Sequence, residues 1–452
     1  MRPSIDRVTP NDLTVMASDR GPVPMHMAAI LEFAEDGAAA PDFAEISAAL
    51  AQRIRRVPRL RRRLLKTPRG CGRPIWADDP DFSVARHFSE EVVADGREGV
   101  LRVAASLACT RLPADRPPWT ARWIRDASGG PPSLVFVLHH AMADGLNGLA
   151  VLAALGDGGR EPEHDRFPQP LPRPGELGRE AWLHRVAALR HAPTALARGL
   201  RGLRELGLSS RHRLRATPTS FNRPTGPRRR IMTVTLPLRQ ILDAAHARGC
   251  TLNDLILVAV AGAMASVLRS RGESPGPFVV SVPISSGRGT DVGRLGNAAG
   301  VAPVEVPSAP DPEVRLQRVV EQTVARRMAA RGAEARGTSA GPLGVVFRAL
   351  ARVGVFQRYI DRQRLVNTFL SNMRGPAESI SIAGHRIASI VPITLTPGNV
   401  GVCFAVVSYA GELVVTVLAD PDIVPDIAEL TGGLSDELRS LTEPYRTSTS
   451  TT

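Results

Sequence analysis

The sequence predicts an α/β protein of two lobes, each a mixed β-sheet with flanking helices. Three observations carry this expectation. The chain has 452 residues, more than one hydrophobic core holds, since domains usually run to about 100–200 residues. Strand-like and helix-like patterns alternate in both halves, as they do when helices cover the faces of a sheet. Between the halves, residues 157–229 are dominated by Pro, Gly and Arg, the composition of a connector. The expected organisation is an N-terminal lobe over 1–156, the connector, a C-terminal lobe over 230–445 and a disordered tail over 446–452.

The elements follow in order. "MAAILEF" (27–33) reads as a strand, and 43–65 as an amphipathic helix that turns basic and breaks at Pro58. Residues 74–88 form a loop entering a strand, and 98–112 have helical spacing. "SLVFVLHH" (133–140) is a buried strand followed at once by a helix over 146–156. The connector includes a basic helical stretch, "RVAALRHAPTALARGLRGLREL". Beyond it come a strand near Arg230, a helix over 238–249, and a long helix that Asn253 and Asp254 open. Strands are expected over 277–286, 302–307, 366–373 and 400–420, the last a hairpin turning at Ala410 and Gly411.

Composition narrows the class of protein. A hydrophobic content of 43% and a charged content of 22% suit a globular chain and argue against disorder. With 12 Phe, 4 Trp and 3 Tyr, the cores must be aliphatic. The net charge is +13, and Lys66 is the sole lysine among the cations. Positive surface attracts phosphate and anionic lipid, so nucleic acid, a membrane surface or a phosphorylated cofactor such as coenzyme A are the partners to weigh. The arginine clusters lack the interleaved aromatics on which single-strand readers stack bases, which argues against nucleic acid. Cys71, Cys109, Cys250 and Cys403 form no CxxC pair and read as buried, reduced thiols of a cytosolic protein. The first 20 residues contain no apolar h-region. The longest apolar run, Leu255 to Leu268, has 14 residues, short of the ~20 that span a bilayer. Membrane contact is therefore expected to be peripheral. The run Arg53, Arg55, Arg56, Arg59, Arg61, Arg62 and Arg63 is either a site for anionic headgroups or a solvated basic face.

The stretch "VFVLHHAMADGLNG" (135–148) concentrates the chemistry. Two of the chain's 10 histidines stand where a buried strand runs out. Side chains alternate along a strand, so His139 and His140 cannot both face one cleft. Asp144 lies four residues past His140, where it can fold back and orient the ring, and Gly145 lets the chain tighten. An imidazole with an intrinsic pKa of about 6.5 can take a proton from an alcohol near neutral pH. The competing readings are polar residues at a sheet edge or a metal site. No HExxH or third ligand supports a metal, and no GxSxG elbow supports a Ser-His-Asp hydrolase.

"HHAMADG" is HHxxxDG, and the stretch resembles the signature of acyltransferases related to chloramphenicol acetyltransferase. Further boxes are similar to those of the bacterial wax ester synthase/diacylglycerol acyltransferase family: "PMHMAAILEF" (24–33), "GRPIWADDPDFSVARH" (72–87), "DRPPWTARWI" (115–124), "TLNDLILVAVAGAM" (251–264), "VPISS…LGNAAG" (282–300), "LSNMRGP" (370–376) and "SYAGELVVTVLADPDIVPD" (408–426). The resemblance runs nearly end to end, broken at the connector. The plant motif DFGWG is absent, which argues against the BAHD branch. Pro118 in place of leucine, "FNRPTGPRRR" (221–230) and Met373-Arg374 depart from the family pattern and put the usual acceptor pocket in doubt.

The resemblance implies two chloramphenicol-acetyltransferase-like lobes with the active site between them. It implies transfer of a fatty acyl group from acyl-coenzyme A, as co-substrate with no bound cofactor, to diacylglycerol or a fatty alcohol. Same-fold alternatives are acylation of an amine, a sugar or a polyketide hydroxyl, or lipid binding without catalysis. Carried onto this chain, His140 is the general base, and Asp144 is a structural brace pairing with Arg288 or Arg294 or else a surface cap of the following helix. His139 either holds the strand end or neighbours the substrate, and Gly145 lets the turn tighten. Asn297 either donates to the oxyanion or shapes a turn. Asn253 and Asp254 either touch substrate or cap a helix, and Trp119 either contacts ligand or anchors the core. His26 lines a tunnel mouth or is satisfied in the core. The expected location is cytoplasmic, with peripheral contact to a membrane or lipid inclusion.

Overall fold

A computed structural model describes residues 5–36, 40–143, 145–160, 166–190, 215–284, 300–332, 355–395 and 398–443. Asp144, Asn297, Arg288, Arg294, residues 191–214 of the connector and the tail fall outside the described residues.

Among the described residues, two six-stranded mixed sheets organise the molecule. The first contains β1 (His26–Phe33), β4 (Phe88–Val93), β5 (Trp119–Asp126) and β6 (Ser133–His139). It also contains β11 (Ser381–Ile382) and β12 (His385–Thr394), in the order β11-β12-β1-β6-β5-β4. The second contains β7 (Arg230–Pro237), β8 (Phe278–Ile284), β9 (Gly300–Val306), β10 (Thr368–Arg374), β13 (Val402–Tyr409) and β14 (Glu412–Ala419), in the order β7-β14-β13-β10-β8-β9. A two-stranded ribbon of β2 (Arg62–Leu65) and β3 (Ile75–Asp78) stands apart.

Residues 381–394, assigned by sequence to the second lobe, instead extend the first sheet. β12 pairs antiparallel along β1 from Met27↔Thr394 to Phe33↔Ile387. The chain thus crosses back after completing most of the second lobe. This also places β1 and β6 in the sheet interior, which accounts for β6 being buried from Ser133 to Leu138. Each large apolar side chain in that run contributes about 1.5–3 kcal/mol relative to exposure.

β13 and β14 show the same two-sided burial. Phe404, Val406, Val415 and Val417 enter the core of the second lobe. The alternate residues Cys403, Val407, Tyr409 and Val414 join the core of the first. Ala410 and Gly411, with φ of 47° and 86°, make the turn that the sequence places there; a two-residue hairpin turn of this hand needs positive φ at both positions.

The long helix is α7 (Leu252–Ser270), which follows α1 (Pro10–Ser18), α2 (Phe43–Arg53), α3 (Gly96–Cys109), α4 (Gly145–Leu155), α5 (Pro174–Arg190) and α6 (Leu238–Ala247). Among the described residues α7 alone is long and apolar enough to cross a bilayer, but 78% of its apolar window is buried inside the protein. It packs with α10 (Ile427–Thr442), which closes the chain after α8 (Pro312–Gly332) and α9 (Val355–Ile360).

Two sequence expectations need correction here. The helix expected over 43–65 stops at Arg53, passes through two 3₁₀ turns, the second begun by Pro58, and ends as β2. Most of its arginines are not a solvated face: only Arg55 is exposed, and the others are buried or half-buried. Arg59 and Arg61 are 6% and 7% exposed. Arg59 pairs with Asp6 at 3.0 Å and lies over the Trp76 ring. Arg62 bridges Asp6 and Asp78, Arg63 faces Asp79, Arg61 stacks on Phe167, and Arg53 pairs with Asp157. Buried guanidinium needs such carboxylate and ring partners to offset lost hydration.

Candidate active site

The site grows from the end of β6. β1 and β6 run antiparallel with His26 opposite His139, and the His140 amide donates to the Met25 carbonyl at 2.8 Å. The strand pairing therefore holds the backbone through His140, and the chain then turns into α4. His140 is half-buried and its Nδ1 is buried.

The lobes meet at this turn. A Cβ on Gly145, the first residue of α4, would lie 2.6 Å from the Met373 sulfur on β10. One on Gly148 would lie 3.2 Å from the Met27 methyl. Glycine here lets a strand of the second lobe approach the histidine turn. On β10, Phe369 and Met373 pack toward the first core and Leu370 toward the second. Alternation gives Ser371 of the Ser-Asn box the face directed at the first lobe.

His139 has a fixed tautomer. The Ala141 amide donates to its Nδ1 at 3.0 Å, so the ring hydrogen resides on Nε2, 3.3 Å from Asp19 Oδ2. Asp19 also accepts from the Met25 amide at 3.0 Å and from Arg111 at 3.2 Å. Arg111 in turn donates to the Gly21 carbonyl at 2.8 Å. Burial pushes the Asp19 carboxyl up, but the hydrogen bonds from His139 and Met25 and the nearby charges outweigh it. The group is held below its ordinary 3.8 and stays ionised.

His26 is a core residue. It is 2% exposed, its Nδ1–H donates to the Ala108 carbonyl at 3.0 Å, and its ring meets that of His139 edge-on at 5.8 Å. Burial first, then the neighbouring His139, depresses its pKa to about 4, so it is neutral at physiological pH.

Other site expectations separate here. Trp119 is not a ligand contact: it is 1% exposed, stacks between His87 and Phe136, and donates its indole N–H to the Leu60 carbonyl at 2.7 Å. Asp254 is a helix-capping residue, buried, with its carboxylate receiving the Thr251 amide at 2.9 Å in a reciprocal capping box. Thr251, rather than the Asn253-Asp254 pair, is the N-cap, and Asn253 is a half-buried first-turn residue. Asp144 and Asn297 lie outside the described residues. Sequence reasoning missed Asp19 and Arg111, which lie 120 and 28 positions from His139 and belong to no motif.

Comparison with known proteins adds the family. A model of the wax ester synthase/diacylglycerol acyltransferase catalytic domain matches residues 8–256, and one of the family's C-terminal domain matches 295–442. The chain belongs to this family. It is an acyl-CoA-dependent acyltransferase. A Mycobacterium tuberculosis protein described as a probable diacylglycerol O-acyltransferase, tgs1, is 28% identical over 418 residues, covering 89% of this chain and 88% of its own length. The structure of a wax ester synthase/diacylglycerol acyltransferase from Marinobacter aquaeolei VT8 superposes with a TM-score of 0.67 at 18% identity, covering 96% of this chain and 98% of that one. The first condensation domain of the calcium-dependent antibiotic synthetase, solved with a substrate analogue, gives a TM-score of 0.63 at 18% identity, over 98% and 97% of the two chains. The expected two-lobed, chloramphenicol-acetyltransferase-like fold is the one observed.

Proposed function

We propose that this member of the family acylates the hydroxyl of a lipid acceptor, diacylglycerol or a long-chain alcohol, with His140 as general base. The observation that carries the reading is the position of His140: half-buried, on a turn held by β-pairing, where β10 of the second lobe comes against α4. Partly buried apolar side chains stand on the elements that meet there, Met27 on β1, Leu149 on α4, and Phe369 and Met373 on β10. Such walls suit a hydrocarbon chain. The name of the tgs1 relative points to the same acceptor class.

With Nδ1 on the buried side, Nε2 of His140 is the nitrogen that meets the acceptor. It takes the hydroxyl proton as the oxygen attacks the thioester carbonyl carbon of acyl-coenzyme A. The tetrahedral intermediate collapses, the C–S bond breaks, and the thiolate takes the proton back from the imidazolium. The thioester is already activated, so no acyl-enzyme is required, and no bound cofactor enters the step. Asp144 as a brace, paired with Arg288 or Arg294, and Asn297 as oxyanion donor complete the proposal. We place the enzyme in the cytoplasm, in peripheral contact with a membrane or lipid inclusion, where its acceptors reside.

The test offers the purified chain labelled palmitoyl-coenzyme A with diolein, hexadecanol, a long-chain amine and a sugar in parallel. Ester from diolein or hexadecanol is expected. Acylation confined to the amine or sugar overturns the acceptor assignment, and liposome binding without any turnover overturns the enzymatic one.

A further inference from the structure

Most of the arginines that sequence pointed to as a lipid-facing surface are held by carboxylates, rings and carbonyls, and another part of the chain has the chemistry of one. α5 packs onto the β2–β3 ribbon through Leu177 and Ala181. Arg7 clamps it there, donating to Glu180 at 3.0 Å and to the Leu177 carbonyl at 3.0 Å. Opposite that seat, Trp182 is 60% and Leu183 51% exposed. Spacing by three and four residues puts Arg179 between Trp182 and Leu183 on the outward face.

The surrounding charge is positive. Lys66, Arg69, Arg173, Arg179 and Arg185 are all exposed; against these five cations stand Glu176, exposed and receiving the Arg173 amide, and Glu180, whose carboxylate is taken by Arg7 and His184. Large exposed apolar side chains ringed by cations, with tryptophan among them, are unfavourable in water and match the boundary of a bilayer. There the indole and leucine enter the acyl region while guanidinium groups meet phosphate. Nothing in the folding of α5 requires these side chains outward, because Leu177 and Ala181 already fill its seat.

We propose that the outward face of α5, centred on Trp182, Leu183 and Arg179, docks the enzyme on an anionic lipid surface. The inference deepens the reading of a lipid acceptor by naming the face that brings the enzyme to it, but it stands on α5 alone and is measured without turnover.

The chain carries its own reporter. Of its 4 tryptophans, Trp76, Trp119 and Trp123 are buried, so Trp182 dominates the environment-sensitive emission. The full-length protein is mixed with vesicles of phosphatidylglycerol and phosphatidylcholine, or of phosphatidylcholine alone. The anionic vesicles should shift emission to the blue, protect it from acrylamide and pellet the protein, with binding weakened by salt. The double variant Trp182→Ser/Leu183→Ser should bind at least ~10-fold more weakly, and so should Arg179→Glu/Arg185→Glu. Both should acylate a short soluble alcohol as wild type does. Far-UV circular dichroism checks that both are folded. The proposal is overturned by wild type ignoring anionic vesicles, or by both variants binding as wild type does. It is equally overturned by a dimer in light scattering that the Trp182→Ser/Leu183→Ser variant loses, since a second copy then covers this face. Loss of all acyl transfer with vesicle binding intact sinks the acceptor reading and leaves this one standing.

Discussion

Asp19 ends α1 and gathers contacts that start far apart in the chain: the amide of Met25, the guanidinium of Arg111 and the Nε2–H of His139. The carboxylate sets the orientation of His139, and His139 precedes the proposed base. It is therefore a positioning residue. Asp19→Ala is expected to lower kcat about 10-fold or more while leaving the melting temperature within a few degrees, and Asp19→Glu to restore part of the loss. An unchanged kcat in the alanine variant removes Asp19 from the mechanism. Beneath it, His26 supplies a pH signature. Its folded pKa of about 4 lies below the ordinary ~6.5 of the unfolded chain. Above ~6.5 both states are neutral and the contribution to stability is complete. As pH falls from there toward 4 the unfolded chain takes the proton first, and stability is lost. Urea unfolding at pH 7 and pH 5 should show a drop that His26→Gln reduces by about 2 kcal/mol. The same drop in both proteins contradicts the assignment. At this scale the sequence was informative about His139 and His140, because a polar pair ending an apolar run is a local signal. It was silent on Asp19 and Arg111, since nothing local distinguishes a carboxylate that meets a histidine across 120 positions.

Among the elements, those whose burial follows from one repeated pattern were readable: β1, β6, α7 and the β13–β14 hairpin. β12 was not, because "HRIASIVPIT" mixes charged and apolar residues without clean alternation, and its pairing with β1 is set by tertiary structure. The pairing of most arginines between Arg53 and Arg63 was not readable, for a related reason. Their carboxylate partners Asp6, Asp78, Asp79 and Asp157 all lie outside the run, and charge patterning along one segment carries no record of them. The element-scale consequence concerns Arg59. Arg59→Ala removes one of the two guanidinium partners of Asp6 and uncovers Trp76. It should cost about 2–3 kcal/mol in chemical denaturation, less than a fully buried pair because Arg62 still reaches Asp6. Vesicle binding should be unaffected. Loss of vesicle binding with stability intact contradicts the internal role.

Across the whole molecule, the two lobes are tied by more than a connector. β12 leaves the second lobe to complete the first sheet. β13 and β14 feed both cores. The Tyr409 hydroxyl on β13 donates to the Ile387 carbonyl on β12 at 3.0 Å, and Arg97 of α3 reaches both Glu32 and Thr233. A joint built this way holds β10 against α4 at fixed distance, which catalysis between two lobes requires. The two-lobed class was legible from length and alternation, but the interlocking was not, because crossover connections leave no periodic trace in a sequence.

The central claim is that the ring at position 140 moves the acceptor's proton. The most direct measurement is the steady-state kcat of His140→Ala beside wild type, with the acceptor that wild type uses best and with circular dichroism to confirm the fold. A loss of at least ~10²-fold in a folded variant is the predicted result; a folded variant that keeps kcat within a few-fold of wild type contradicts it.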